Sequence, residues 1–357
     1  MKKQFLSIIF AMVFCVALAA PATAQGDDFV FDSDRIDWFD TKPTADIMIR
    51  DPQVLVYGQT YFMSCAALPG YGCYVSRDLE HWAGPLQIFA PPAGFDGIED
   101  WWAPECHYYQ GRFYLFATYK SASADRRRTS IFRADSPLGP YEEIFDISSY
   151  PPGWDTIDGT LYVDEGGQPW MVFVHEHTSM PDGIGDFSAA RLSEDFTRLV
   201  GEPVSLFKAN ALPFWDNNTV TDGCWLYRGE KGQLIMLWSG FNRAGYCVAQ
   251  AVSLSGKITG PWVQCPALLY RKNSAHAFDG GHGSLFYALD GRLMLGLHSP
   301  QSLQEGQYEA AAFYEVAEKG ASLMLKENSV QGLRGVGAGL WNAAVWVMRG
   351  FWRLFNK

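Results

Sequence analysis

Three aspartates stand in matching surroundings far apart in the chain. Asp51 lies in IMIRDPQVLVY, Asp158 in DTIDGTLYVDEGG and Asp222 in VTDGCWLYRGEKG. Each is followed by Pro or Gly and then by an apolar run that reads as a strand. A single Asp before Gly or Pro is ordinary turn chemistry. Three at equivalent places of a repeat support a second reading, in which carboxyls from different strands face one another. Such a pair can protonate a leaving group on one side of a bond and draw a proton from water on the other.

These residues meet only if the fold brings their strands together. Short alternating runs of Val, Ile, Tyr, Phe and Trp, broken by Gly, Pro and Asp, dominate the chain, and helical periodicity is almost absent before residue 330. One unit recurs five times: a Gly turn, an aromatic strand, a second strand, then an Asp or Gly-Pro turn. The copies begin YGQTYFMS, YQGRFYLFATY, EGGQPWMVFVH, EKGQLIMLWSG and LDGRLMLGLHS. The period of roughly 50 to 65 residues suits propeller blades and is too long for most solenoid units. A four-stranded unit cannot bury both faces alone, so the five are expected to stack around an axis as an all-β, five-bladed β-propeller. Two β-sandwiches are the competing fold, but no linker divides the pattern. The expected organisation is a signal peptide over 1–24, a propeller over 25–325 and a helical tail over 326–357. Inner strands of a propeller converge on one pocket, where the three aspartates would meet.

The motifs RDP, DWWAPE, IDGTLYVDEGG and GGHGSLF, in this order along the blades, resemble glycoside hydrolase family 43. The resemblance covers roughly residues 45–315. It implies an inverting glycosidase of the arabinofuranosidase, xylosidase and arabinanase group. Carried over, Asp51 is the general base and Asp158 the carboxylate that tunes and orients the acid. His282 is the axial histidine, which in many members contacts a central, water-coordinated calcium; no other cofactor is implied. The acid position departs from the family's Glu-Gly-Pro, because this chain has Asp222-Gly223-Cys224. Asp reaches about 1.5 Å less far than Glu, and a displacement of about 1 Å can cost about 10²-fold in rate.

Asp222 keeps the Gly, the strand and the distance from Asp158 that an acid requires, and is read as the acid. Glu105 and Glu176 are its rivals. Loss of catalysis, leaving a sugar-binding propeller, is a third reading. The expected activity is release of terminal α-L-arabinofuranosyl or β-D-xylosyl residues from arabinan, arabinoxylan or similar plant-type polysaccharide. An endo-acting arabinanase stays open, as does a retaining furanosidase. The retaining enzyme needs carboxyls about 5–5.5 Å apart, against about 6.5–9.5 Å for an inverting one.

Other residues have both a functional and a structural reading. Arg50 could keep Asp51 ionised or simply face solvent. Trp101 and Trp102 could stack on a sugar ring or pack in the core. Glu105, His107, His175, Glu176 and His177 fit a polar wall against substrate, and the alternation of HEH puts both histidines on one strand face, as a metal pair would need. Gly281 and Gly283 would let a ligand approach the backbone at His282.

Composition supports a neutral, sugar-like substrate. Aromatic residues make up 15% of the chain, which suits either a packed β core or ring stacking. The net charge is −11, and cleavage of the leader with Lys2 and Lys3 makes it two units more negative, which argues against nucleic acid and anionic membranes as partners of the main domain. The leader has a basic start, an apolar run from Phe5 to Ala20 and the small-residue site Ala22-Thr23-Ala24, so a periplasmic or secreted protein is expected. Six cysteines follow it without CxxC zinc spacing; Cys65 and Cys73 could bridge a hairpin, and buried thiols are the alternative. Asn217 to Thr219 matches a glycosylation sequon. In the tail, Trp341, Val345, Met348, Trp352 and Phe355 share a helical face near Arg349, Arg353 and Lys357, which suits either a membrane surface or docking on the propeller.

Overall fold

A computed structural model describes residues 33–212, 218–326 and 344–352. The leader and the sequon's Asn217 lie outside these residues, as do Trp341, Arg353, Phe355 and Lys357 of the tail. Five antiparallel sheets follow one another along the chain and form the five-bladed propeller. Blade I contains β1 (Thr41–Pro43), β2 (Gln53–Tyr57), β3 (Thr60–Ala66), β4 (Tyr71–Ser76) and β5 (His81–Phe89), with β1 on the outer edge beside β5. Blade II is β6 (Gly97–Tyr109), β7 (Arg112–Ser121), β8 (Arg126–Ala134) and β9 (Glu142–Glu143). Blade III is β10 (Thr156–Val163), β11 (Pro169–His175), β12 (Asp186–Leu192) and β13 (Leu199–Lys208). Blade IV is β14 (Asp222–Arg228), β15 (Leu234–Asn242), β16 (Gly245–Ser253) and β17 (Trp262–Gln264). Blade V is β18 (Gly281–Tyr287), β19 (Leu293–Ser299), β20 (Ala310–Lys319) and β21 (Ser322–Leu325).

The repeated Gly turn joins the two innermost strands of each blade. Gly58, Gly111, Gly167, Gly232 and Gly291 occupy it, all at positive φ, where a side chain would be strained. The second strand from the axis of each blade, β3, β7, β11, β15 or β19, is buried on both faces, and five apolar clusters fill the five spaces between neighbouring blades. Phe62 and Phe132 meet between blades I and II, Phe116 and Phe173 between II and III, and Val172 and Trp238 between III and IV. Fully burying one such side chain contributes about 1.5–3 kcal/mol. The ring closes between blades V and I. The Ile49 N–H donates to Glu309 O at 2.9 Å, Met48 bridges to Ala310, and Ile47 and Ile49 pack with Phe286, Met294 and Ala311.

A helix, α1, spans 344–352 and lies against blades IV and V. Val345 is fully buried in their shared cluster, with Trp346 and Met348 packed against it. Arg349 is also buried; it donates to Gly232 O at 3.2 Å and lies 5.0 Å over the Trp346 ring. Val347 and Phe351 are exposed. The six cysteines after the leader carry no disulfide and are all buried, Cys65 and Cys73 included.

Candidate active site

One backbone device recurs at the inner strand of every blade. Asp51, Ala103, Asp158, Gly223 and His282 all have left-handed φ, at 52°, 42°, 53°, 49° and 52°. In blades II to V the pairing slips by one residue there. Trp102 faces Thr118 but Glu105 faces Phe116, and the same slip lies between Ile157 and Thr160, between Asp222 and Trp225, and between Gly281 and Ser284. Each slip is a β-bulge with an extra inner-strand residue, a device that re-aims a side chain. A non-Gly residue in this conformation costs of order 1–3 kcal/mol, and Asp and His tolerate it better than most. Three of the five positions hold Asp or His, and their side chains come together.

His282 Nδ1 lies 3.1 Å from Asp51 Oδ1 and 3.7 Å from Asp158 Oδ2. His298 Nδ1 lies 3.1 Å from Asp51 Oδ1 and 3.2 Å from the Asp51 N–H, and its Nε2 lies 2.7 Å from Gln301 Oε1. Asp158 Oδ2 accepts the Gly223 N–H at 2.9 Å, which ties it to the backbone beside Asp222. Asp222 Oδ2 accepts the Tyr246 hydroxyl at 2.9 Å.

Electrostatics split the three carboxyls. Burial opposes ionisation of Asp51, but His282 and His298 outweigh it and hold the carboxyl well below the usual range. Burial pushes Asp158 up to about 7; His282 lowers it, and Asp222 and Asp51 raise it further. Burial raises Asp222 in the face of His282 and Tyr246, which pull the other way. Burial would deprotonate His282, but Asp51 and Asp158 carry it to about 10. The site at neutral pH is therefore an imidazolium against an ionised Asp51, with two carboxyls biased towards their protonated forms.

Several sequence expectations change against this geometry. Asp222 is not the counterpart of Asp51 and Asp158, because Gly223 holds that bulge position. Asp222 stands one residue earlier, where the other blades carry Arg50, Trp102, Ile157 and Gly281. Arg50 contacts Asp51 Oδ2 only at 3.7 Å and pairs with Glu309 at 3.1 Å, so histidines rather than Arg50 hold the base ionised. Trp101 packs among Tyr71, Phe89, Phe95 and Tyr119 and is buried, whereas Trp102 is 36% exposed. Consecutive strand residues face opposite ways, so only Trp102 can be a platform. The Arg127 guanidinium lies 4.6 Å over the Trp102 ring and pairs with Asp100 at 2.8 Å and Glu176 at 2.9 Å.

Glu105 is buried beside His107 at 3.2 Å, two residues past the bulge, and its charge helps to raise the pKa of His282. His175 is buried and stacks on Trp154 with ring centres 3.7 Å apart; burial lowers its pKa to about 4. The strand ends at His175, so His177 does not share its face and the two make no metal pair. Gly281 and Gly283 make room for protein: a Cβ would fall 2.3 Å from Tyr246 Cε1 at the first and 2.8 Å from Leu295 Cδ1 at the second. Among the described residues no group of three or more His, Cys, Asp or Glu side chains could hold a metal ion. The water-coordinated calcium near His282 is an implication of the resemblance alone, and no step is routed through it. Sequence reasoning missed Tyr246, His298 and Arg127. Only His298 had a local signal, as the polar break in the apolar run LMLGLHS.

The model of glycosyl hydrolases family 43 matches residues 41–311. This chain belongs to that family. It is a glycosidase, and its substrate is carbohydrate. It is 27% identical over 302 residues to an extracellular exo-alpha-(1->5)-L-arabinofuranosidase of Cellvibrio japonicus (strain Ueda107), covering 74% of this chain and 80% of the relative. It is 37% identical to the endo-arabinase of Bacteroides thetaiotaomicron VPI-5482, whose crystal structure superposes with a TM-score of 0.70 over 78% of this chain and 97% of that one. The α-L-arabinofuranosidase of Lactobacillus brevis, at 17% identity, shares the fold with a TM-score of 0.62 over 78% and 95% of the two chains.

Proposed function

We propose that this glycosidase is an exported enzyme that removes α-L-arabinofuranosyl residues from arabinan by an inverting acid–base mechanism. Asp51 draws the proton from the attacking water, Asp222 protonates the leaving oxygen, and Asp158 orients and tunes the acid through the Gly223 amide. The observation that carries this is the electrostatic split: His282 and His298 hold the Asp51 carboxyl well below its ordinary range, while desolvation raises Asp222 above its own. A base must be ionised and an acid protonated at the same pH, and opposite environments for two carboxyls achieve that. The exposed Trp102, backed by Arg127, offers a sugar-stacking face beside them. Arabinan is favoured over xylan because the exo-acting relative and the 37% identical structure are both named for arabinose polymers. Export is supported by the leader pattern and by the extracellular name of the relative.

Endo action is the second reading, favoured by the endo-arabinase structure. Linear arabinan separates the two, because arabinose alone marks exo action and a ladder of oligosaccharides marks endo action. Assays of wild type and Asp222→Asn on arabinan, an aryl α-L-arabinofuranoside and an aryl β-D-xyloside test the acid. The Asn variant should lose about 10²–10⁴-fold on arabinan and much less on an aryl group that leaves unprotonated. Unchanged arabinan activity in Asp222→Asn would remove Asp222 from the mechanism and bring Glu176 forward.

A further inference from the structure

Asp222 stands where the resemblance leads one to expect a Glu, and its surroundings give a reason for the shorter side chain. The Tyr246 hydroxyl meets Asp222 Oδ2 at 2.9 Å. One more methylene would carry the carboxyl about 1.5 Å further, so a Glu in this direction needs the Tyr246 ring to withdraw. The ring has no room to do so. It stacks on His298 with centres 5.6 Å apart and planes at 20°, and it contacts Phe241 at 4.9 Å. On another side it fills the space that a side chain at Gly281 would need. The Tyr246 backbone N–H donates to Asp279 Oδ2 at 3.0 Å, and the same Asp279 collects the backbone N–H groups of Gln301 and Ser302. Gln301 in turn holds His298, whose other ring nitrogen reaches Asp51. A continuous set of contacts thus runs from Asp222 through the Tyr246–His298 stack to Asp51.

We propose that Tyr246 is a positioning residue: clamped on His298, it fixes the short Asp222 carboxyl at a set distance from Asp51 and is the reason this chain works with Asp at that position. The proposal rests on the reading of Asp222 as the acid. Tyr246 itself neither touches the bond being cleaved nor transfers a proton. It acts by denying Asp222 the alternative rotamers of a loosely held side chain, which would lengthen or skew proton transfer to the leaving oxygen.

The test measures kcat and KM for wild type, Tyr246→Phe, Asp222→Glu and the double variant, on linear arabinan and on an aryl α-L-arabinofuranoside with a good leaving group. Tyr246→Phe should lower kcat on arabinan by about 10- to 10²-fold, leave KM within about twofold and lower the aryl rate far less, because only arabinan needs a well-placed acid. Asp222→Glu should also lose arabinan activity alone, and should lose less when Tyr246→Phe removes the hydroxyl in its path. Equal losses on both substrates, or a change confined to KM, would overturn the proposal, since those mark general disruption or substrate contact. So would an unchanged kcat in Tyr246→Phe. If that variant does not fold, Asp222→Glu decides: wild-type or faster arabinan turnover overturns the proposal, and a loss greater on arabinan than on the aryl substrate supports it. Asp222→Asn keeps two failures apart. Should it leave arabinan turnover intact, the acid reading falls and takes this proposal with it; should it abolish turnover while Tyr246→Phe does nothing, only the role of Tyr246 falls.

Discussion

Blades I and III put the same residue in the same backbone conformation and obtain opposite acids. Asp51 and Asp158 both sit at left-handed φ, at 52° and 53°, and both carboxyls lie against His282. Yet Asp51 is held well below the usual carboxylate range and Asp158 is pushed up to about 7. The difference lies in the partners. Asp51 has two ring nitrogens at 3.1 Å on one oxygen, whereas Asp158 has one at 3.7 Å, a single backbone N–H, and Asp222 as a neighbour of like charge. Burial raises both carboxyls, and only the nearer imidazoles overcome it. The fold thus supplies position, and the few contacts from adjoining blades supply chemistry.

Removing the carboxylate of blade I should have the largest effect. Asp51→Asn is expected to lower kcat by about 10³–10⁴-fold on arabinan and aryl substrate alike, since water attack needs the base whatever the leaving group. That parity contrasts with Asp222→Asn, whose loss depends on the leaving group. A loss at Asp51 that vanished on the aryl substrate would reverse the roles of the two residues. Stability gives an independent sign. A carboxyl with a depressed folded pKa contributes stability that is present above its ordinary value near 3.8 and is lost as the pH falls below it. Asp51→Asn should therefore weaken the fold at neutral pH and differ least from wild type in strong acid.

Asp158→Asn should do the reverse. Its carboxyl rises from 3.8 to about 7 on folding, so the folded state binds the proton more tightly than the unfolded chain. Wild type is thereby penalised progressively as the pH rises from about 4 to about 7, and not below that window. The Asn variant removes this penalty and keeps an oxygen for the Gly223 N–H. It should melt higher than wild type above pH 7 and alike near pH 4, while losing about 10²-fold in kcat through a displaced acid. Thermal melts across this range decide it; a melting difference that does not change with pH would show that the two aspartates are less different than their contacts imply.

The sequence carried the blade count well, because a Gly turn and an aromatic strand recur with every blade and depend only on local chemistry. Asp51, Asp158 and His282 were also legible, each as an ionisable residue beside Gly or Pro at a strand start. The bulge was not, since a one-residue slip in pairing leaves no mark on composition. That slip separates Asp222 from Gly223. Tyr246 and His298 were hidden for another reason. They lie on the third and second strands of blades IV and V, inside apolar runs, and reach the site only because neighbouring sheets meet side by side.

Blade II offers the smallest and cleanest test, because it has the bulge without the chemistry. Ala103 occupies the position of Asp51 and Asp158, with φ of 42°, yet brings no ionisable group to it. A Cβ in this region costs of order 1 kcal/mol or more, and Gly adopts it without that strain. In the aspartates the cost is offset by function; at Ala103 nothing in the pocket offsets it. Ala103→Gly should therefore stabilise the protein by about 0.5–1 kcal/mol, after the greater chain entropy of Gly is subtracted, with kcat on arabinan unchanged. Denaturant melts at constant slope would register the gain. If the variant were instead destabilised, the buried methyl group must provide packing that exceeds the strain, and the bulge in blade II would be a structural element in its own right rather than the unused copy of the one that carries the acids.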